Sequence, residues 1–222
     1  MLAPEHRSAW EGDVSGYGDF YENRVTGERC VILRTGMEDE ASPTTSLVHL
    51  TAPPGSAVVG EHVHPTVTER FVVVSGTLGM RLDGEESQLV AGEEATAPAG
   101  SAHDWWNAGD DVASVIVELD PPTERFETMI ATLFGLANAG RTNAKGLPNP
   151  LQLALIGQQF DDVLVFTKPP RAVQRIAFAL LAPIARARGL RPTYDEYLAP
   201  HGHTEPDPAA LAAAGLAAAP TR

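Results

Sequence analysis

Residues 55–76 read GSAVVGEHVHPTVTERFVVVSG, and this stretch decides both the fold and the chemistry expected of the chain. One residue separates His62 from His64, so on a β-strand both imidazoles lie on the same face. Four residues separate His64 from Glu69, which is enough chain to turn and begin the neighbouring strand. The spacing predicts that Glu69 points back toward the two histidines.

A second stretch, residues 92–107, reads GEEATAPAGSAHDWWN and supplies a third histidine, His103, after a Pro98–Gly100 turn. Three imidazoles and one carboxylate form a mixed nitrogen and oxygen site that suits Fe, Mn, Ni, Cu, Co or Zn. Such a site keeps an open coordination position for water, substrate or dioxygen. We therefore predict one divalent transition metal ion. The alternative is that these histidines belong to the surface or the core. The predicted ligands are His62, His64, Glu69 and His103.

The two stretches resemble the two signature motifs of the cupin superfamily. The first motif, G-x5-H-x-H-x3,4-E-x6-G, is matched from His62 to Gly76, although six residues instead of five separate Gly55 from His62. The second motif, G-x5-P-x-G-x2-H-x3-N, is matched from Gly92 to Asn107 without departure. The resemblance implies a single jelly-roll barrel that binds a metal ion. It implies no single reaction, because the family includes quercetinase-type dioxygenases, isomerases, decarboxylases and binding proteins.

The residue pattern changes from β-rich to helical at Pro121-Pro122, and we predict three structural regions. Short β-rich runs separated by turn residues predict that residues 1–121 form an antiparallel cupin barrel, with Asp83-Gly84 as a two-residue hairpin turn. Apolar residues at helical spacing predict an α-helical extension over 122–199, with Pro183 kinking or ending its last helix. Residues 200–222 are rich in Ala and Pro, and we expect them to be poorly ordered. The fold class is mainly β, followed by α-helices.

Alternation along the strands predicts which side chains face the metal and line a substrate pocket. The pocket is predicted to be apolar and aromatic, although the same side chains could simply fill the barrel. His49 precedes these strands and is the one candidate for a general acid or base; its alternative role is a hydrogen-bonded structural residue. The predicted substrate-binding residues are Phe71, Val73, Met80, Trp105 and Asn107.

The chain is acidic, with 16 Lys and Arg against 29 Asp and Glu and a net charge of −13. Such a surface repels phosphate backbones and anionic headgroups, so we expect neither nucleic acid nor a membrane as partner. The single cysteine, Cys30, permits a cytoplasmic location, and we predict that it is a small buried strand residue. Because the helical stripes need cover, we expect them to pack on the barrel or in a homodimer. The alternative is a membrane surface, because Arg171, Arg175, Arg186 and Arg188 lie around the apolar run of the last helix.

The expected function is metal-dependent oxidation, of the dioxygenase type, of a small apolar or aromatic molecule. The alternatives are a non-redox isomerase or lyase and a small-molecule-binding cupin without catalysis.

Overall fold

A computed structural model describes residues 15–35, 45–58 and 60–217 of the 222-residue chain. Ten strands precede the first long helix, and the remaining elements follow it. The strands are β1 Asp19–Glu22, β2 Arg29–Arg34, β3 Ser46–Ala52, β4 His62–Val63, β5 Thr68–Ser75, β6 Thr77–Leu82, β7 Glu85–Val90, β8 Glu94–Ala97, β9 Ala102–Asn107, β10 Ala113–Asp120, β11 Val165–Phe166 and β12 Gly202–His203. The helices are α1 Glu124–Asn138, α2 Pro150–Gln159, α3 Arg171–Ala187, α4 Asp195–Leu198 and α5 Pro208–Ala213.

The strands form two antiparallel sheets, which confirms the predicted jelly-roll barrel. One sheet has the order β12-β1-β2-β3-β10-β5-β8, and the other has the order β11-β4-β9-β6-β7. Asp83 and Gly84 both have positive φ, at 49° and 89°, and they join β6 to β7 with Leu82 opposite Glu85. This is the two-residue turn predicted from the sequence, because a hairpin of this kind needs two left-handed residues.

The barrel core lies between the two sheets and consists of side chains that alternate inward along the strands. Phe71, Leu78 and Met80 are each at most 1% exposed, and they pack with Val115 and Leu119 of β10. The opposite face of β2, β3, β5 and β10 carries a second cluster, which α5 covers with Ala210 and Leu211. The strands β2, β3, β5 and β10 of the seven-stranded sheet are therefore covered on both faces.

The helical extension begins as predicted. The apolar stripe of α1 is buried at Met129, Phe134 and Leu136, and Phe126 packs against both the barrel core and the helical cluster. Helix α2 begins at Asn149, whose side-chain oxygen accepts hydrogen bonds from the amides of Leu151 and Gln152. The apolar stripe of α1 therefore packs on the barrel, which is one of the two predicted arrangements.

Helix α3 differs from its prediction in the cover of its apolar stripe. The helix continues past Pro183 to Ala187, so of the two effects predicted for Pro183 an early end does not occur. Its apolar stripe is not covered: Ile176 is 63% exposed and Leu180 is 68% exposed. Within the described residues, no helix combines the length and the apolar content needed to cross a bilayer.

The segment after residue 200 also differs from its prediction. Strand β12 pairs with β1, placing His203 opposite Asp19, and α5 packs on the outer face of the larger sheet. Leu211 is 4% exposed there. An Ala-rich composition had suggested poor order, but two leucines and several alanines suffice when a preformed apolar sheet face is available to cover. Residues 218–222 lie outside the described part of the chain.

Candidate metal centre and cavity

The four predicted ligands meet at one point inside the barrel. His62 on β4 lies opposite His103 on β9, and Glu69 lies at the start of β5. The candidate ligand atoms of His62, His64, Glu69 and His103 all lie within 4.8 Å of one another, and the four residues are buried. A carboxylate oxygen of Glu69 lies 3.0 Å from Nε2 of His103 and 3.2 Å from Nε2 of His64.

Each imidazole is oriented by a backbone carbonyl at its Nδ1 atom. His62 Nδ1 lies 3.0 Å from the oxygen of Gly60, His103 Nδ1 lies 3.2 Å from that of Ser101, and His64 Nδ1 lies 2.6 Å from that of Val163. Because a carbonyl only accepts, Nδ1 must donate in each case. The Nε2 atoms are then left to face the cluster, which is how backbone acceptors commonly fix the tautomer of metal-binding histidines.

The electrostatics of the cluster favour an ionised Glu69 and a neutral His62. Burial raises the pKa of Glu69, but the contacts with His103 and His64 outweigh it and hold that pKa well below its usual range. Burial, together with the two neighbouring imidazoles, lowers the pKa of His62 to about 4. Burial also acts to lower the pKa of His64, but the contact with Glu69 outweighs burial and raises it. The site therefore holds a buried carboxylate against imidazole nitrogens.

The donor set fits a divalent metal ion. The Nε2 atom of His64 is buried and makes no hydrogen bond, since its 3.2 Å contact with Glu69 lacks hydrogen-bond geometry. A buried nitrogen without a hydrogen bond costs about 1–3 kcal/mol, and a cation shared with Glu69 would satisfy it. Three imidazole nitrogens and one carboxylate oxygen suit first-row transition metals, without selecting one of them. His62, His64, Glu69 and His103 would hold the ion.

A cavity of about 730 Å³ opens from this cluster and runs beneath the helices. Its walls come from three parts of the molecule: the inner faces of β1–β3, the cluster itself, and α1 to α3 with the loops between them. The wall is mainly apolar. His62, His64 and Glu69 line it directly, so a bound molecule can reach the metal position. Representative apolar lining residues are Ile32, Leu50, Trp105, Phe126, Leu133 and Phe178.

Comparison with known proteins agrees with this geometry. A protein-family model described as a cupin domain matches residues 48–118, which run from β3 to β10 and include all four cluster residues. The barrel is a cupin domain. This part of the chain therefore belongs to the cupin superfamily, as the two motifs had predicted.

Two curated proteins resemble parts of this cupin. The tetracenomycin polyketide synthase protein TcmJ of Streptomyces glaucescens is 29% identical over 104 residues, which are 47% of this chain and 62% of that protein. The polyketide synthase CurC of Streptomyces cyaneus is 37% identical over 63 residues, which are 28% of this chain and 41% of that protein. The matched segments thus span less than two thirds of either relative.

Solved structures resemble the barrel more distantly. KdgF from Halomonas sp. is 21% identical, covers 48% of this chain and 91% of its own, and has a TM-score of 0.41. A predicted oxalate decarboxylase from Thermotoga maritima is also 21% identical, covers 41% of this chain and 78% of its own, and has a TM-score of 0.37.

The five residues predicted to bind substrate occupy different places in the cupin barrel. Trp105 lines the cavity. Phe71, Val73 and Met80 lie in the fully packed core and do not reach the cavity wall. The structure therefore places three of the five in packing positions, because inward-facing residues deep in the barrel fill it and only those near its mouth line a space.

Asn107 and His49 have structural partners and do not reach the cluster. The Asn107 side chain donates to the carbonyls of Ala52 and Asp111, at 2.7 and 2.8 Å, and accepts from the amide of Gly109 at 2.9 Å. His49 lies on β3 between the cavity-lining residues Val48 and Leu50, so alternation turns it to the outer face. Its Nε2 lies 2.7 Å from the Ser114 hydroxyl.

Cys30 also lines the cavity, where it packs beside the barrel core. Burial and the nearby Glu28 raise the pKa of its thiol to about 12, so the thiol stays protonated and is a poor nucleophile. Cys30 is thus a strand residue without a reactive thiol, as predicted, but it is only half-buried because the cavity adjoins it.

Three contributors to the site were not found from the sequence. The Val163 carbonyl orients His64 across 99 residues of chain, and a backbone atom carries no sequence signal. Glu28 and Glu127 are two acidic residues that line the cavity. Glu28 shares the alternation of Cys30 on β2, which is a signal that could have identified it.

Proposed function

We propose that this cupin is a metal-dependent enzyme that acts on a largely apolar, aromatic molecule of the polyketide type. The observation that supports this most directly is the cavity, because its mainly apolar wall ends at the metal-ligand cluster. A volume of about 730 Å³ lies within the range of small-molecule sites and would admit a molecule of several fused rings. The two curated relatives, both polyketide synthase proteins, support the same substrate class.

The reaction we propose is oxygen-dependent oxidation of the dioxygenase type. A metal ion held by three imidazoles and one carboxylate would supply redox or Lewis-acid chemistry at an open coordination position. The chain itself contributes enclosure. Phe126 on α1 lies 5.6 Å from His64, ring centre to ring centre, and the helices cover the cavity above it. An aromatic substrate could stack on Trp105 while the apolar walls exclude water.

A second candidate is a non-redox isomerisation or ring closure, and Glu127 favours it. This residue lines the cavity, and burial raises its pKa to about 7 even though the Ser15 hydroxyl donates a 2.6 Å hydrogen bond to it. A carboxyl group with a pKa near neutrality can both give and take a proton at physiological pH. His49, the candidate from the sequence, lies on the other face of the sheet.

Turnover in air and under nitrogen distinguishes the two reactions. Wild-type protein, loaded in turn with each candidate metal, would be incubated with quercetin and with polyhydroxylated tetracyclic aromatics, and the products followed by mass spectrometry. The oxidation hypothesis expects products that contain added oxygen atoms, formed in air only. His64→Ala is the negative control. Turnover at an undiminished rate under nitrogen, lost in Glu127→Gln, would support the second candidate instead. Binding without turnover would contradict both and leave a binding protein.

A further inference from the structure

The far end of the cavity carries a buried acid whose hydrogen bonding is incomplete. Glu28 immediately precedes β2 and shares the cavity-facing alternation of Cys30 and Ile32. It is 8% exposed. One carboxyl oxygen accepts a 3.0 Å hydrogen bond from the Thr26 hydroxyl, while the other, Oε1, is buried and has no partner among the described residues. Buried carboxyl oxygens in native proteins normally accept a hydrogen bond. A bound ligand would supply the hydrogen bond that Oε1 of Glu28 lacks.

The position of Glu28 in the sheet separates it from the metal cluster. Glu69 pairs with Leu119 of β10. Arg29, the residue after Glu28, pairs with Thr51 of β3, and Thr51 in turn pairs with Ser114 of β10. Those two β10 positions are five residues apart, or about 17 Å along the strand at roughly 3.4 Å per residue. Both acids line the same cavity. A molecule that reaches both must therefore be elongated.

We propose that Glu28 forms a distal subsite, which selects elongated apolar molecules bearing a hydroxyl or amino group at the end away from the metal. This rests on the proposed function and names the substrate more closely. Burial raises the pKa of Glu28, and the hydrogen bond from Thr26 offsets only part of that effect. A ligand O–H or N–H can donate to Oε1 in either protonation state of the acid. A purely apolar end would leave that atom unpaired.

Pyrene and 1-hydroxypyrene test the subsite, because they differ by one hydroxyl and both report binding by fluorescence. In the full-length, metal-loaded protein, we expect 1-hydroxypyrene to bind about two- to tenfold more tightly than pyrene, the effect of one hydrogen bond. Glu28→Leu should abolish that preference, and Glu28→Gln should retain most of it. Glu22→Leu is the matched control, since Glu22 lies on the same hairpin but pairs with Arg24 outside the cavity.

The outcomes separate the subsite from the proposed function. If both probes bind with equal affinity, or if Glu28→Leu keeps the preference, the subsite is overturned while the apolar cavity stands. If neither probe binds, the proposed substrate class and the subsite both fail. Thermal unfolding of each variant confirms that it is folded. A merely structural role for Glu28 would change the melting temperature and leave the selectivity ratio unchanged.

Discussion

The dependence of the metal site on the helical extension can be tested through Phe160. This residue follows α2, is 2% exposed, and packs with Val163 and Met129. Its carbonyl accepts a 2.9 Å hydrogen bond from the Val163 amide, which holds the turn that presents the Val163 carbonyl to His64. Phe160→Ala should lower the free energy of unfolding by about 3–5 kcal/mol, as for other buried phenylalanines. Because the turn can then shift, we also expect the metal affinity to fall about 10- to 100-fold, the usual effect of losing a partner that orients a ligand.

Leu155→Ala is the matched control for that variant. Leu155 lies on α2, the helix that Phe160 follows, and it is 1% exposed. It packs against Ala182 and Ala185 of α3, away from Val163. Its loss should cost a comparable 2–5 kcal/mol and leave metal affinity unchanged. Chemical unfolding and competition with a metal-binding dye measure the two quantities. Equal loss of metal affinity in both variants would mean that general destabilisation weakens the site, and the reasoning from the Val163 carbonyl would be refuted.

Three further predictions concern single residues. His64→Ala should lose most of the bound metal by elemental analysis, because one of four ligands is gone; full metal content would contradict the site. Burial raises the pKa of Glu127 from 4.5 to about 7. Between these two pH values the folded state therefore binds more protons than the unfolded state. The free energy of unfolding should fall by about 2–3 kcal/mol as the pH rises through this range. Glu127→Gln should remove that part of the slope in metal-loaded protein, and an unchanged slope would refute the assignment. Asn149→Ala should cost about 1 kcal/mol by losing the helix cap, whereas Thr123→Ala should cost much less because Thr123 makes no capping hydrogen bond; equal losses would contradict this.

The barrel and the ligand set could be predicted from the sequence because both depend on local rules. Strand alternation places His62 and His64 on one face, and the spacing to Glu69 is set by a single turn. The same rules predicted the Asp83-Gly84 hairpin and the stripe of α1, since a left-handed turn and an amphipathic helix each have a signature within a few residues.

The same alternation misplaced the pocket, because it gives the face of a residue and not its depth. Phe71 and Met80 do point into the barrel, but they lie where it is filled. His49 was assigned to the site from its nearness in sequence, and its neighbours Val48 and Leu50 take the inward positions. Depth and neighbours depend on how far the two sheets are apart at each level, which local spacing does not encode.

A cupin barrel, its four clustered ligands and the helices that follow are all predictable from the sequence. The enclosure of a cavity over the cluster by α1 to α3, and the orientation of His64 by the Val163 carbonyl, are visible only in the folded chain. The same is true of the exposed apolar stripe of α3 and of the ordered segment after residue 200. The difference lies in the range of the interactions. Alternation, turns and caps act over a few residues, whereas burial depends on which surfaces meet across the whole chain.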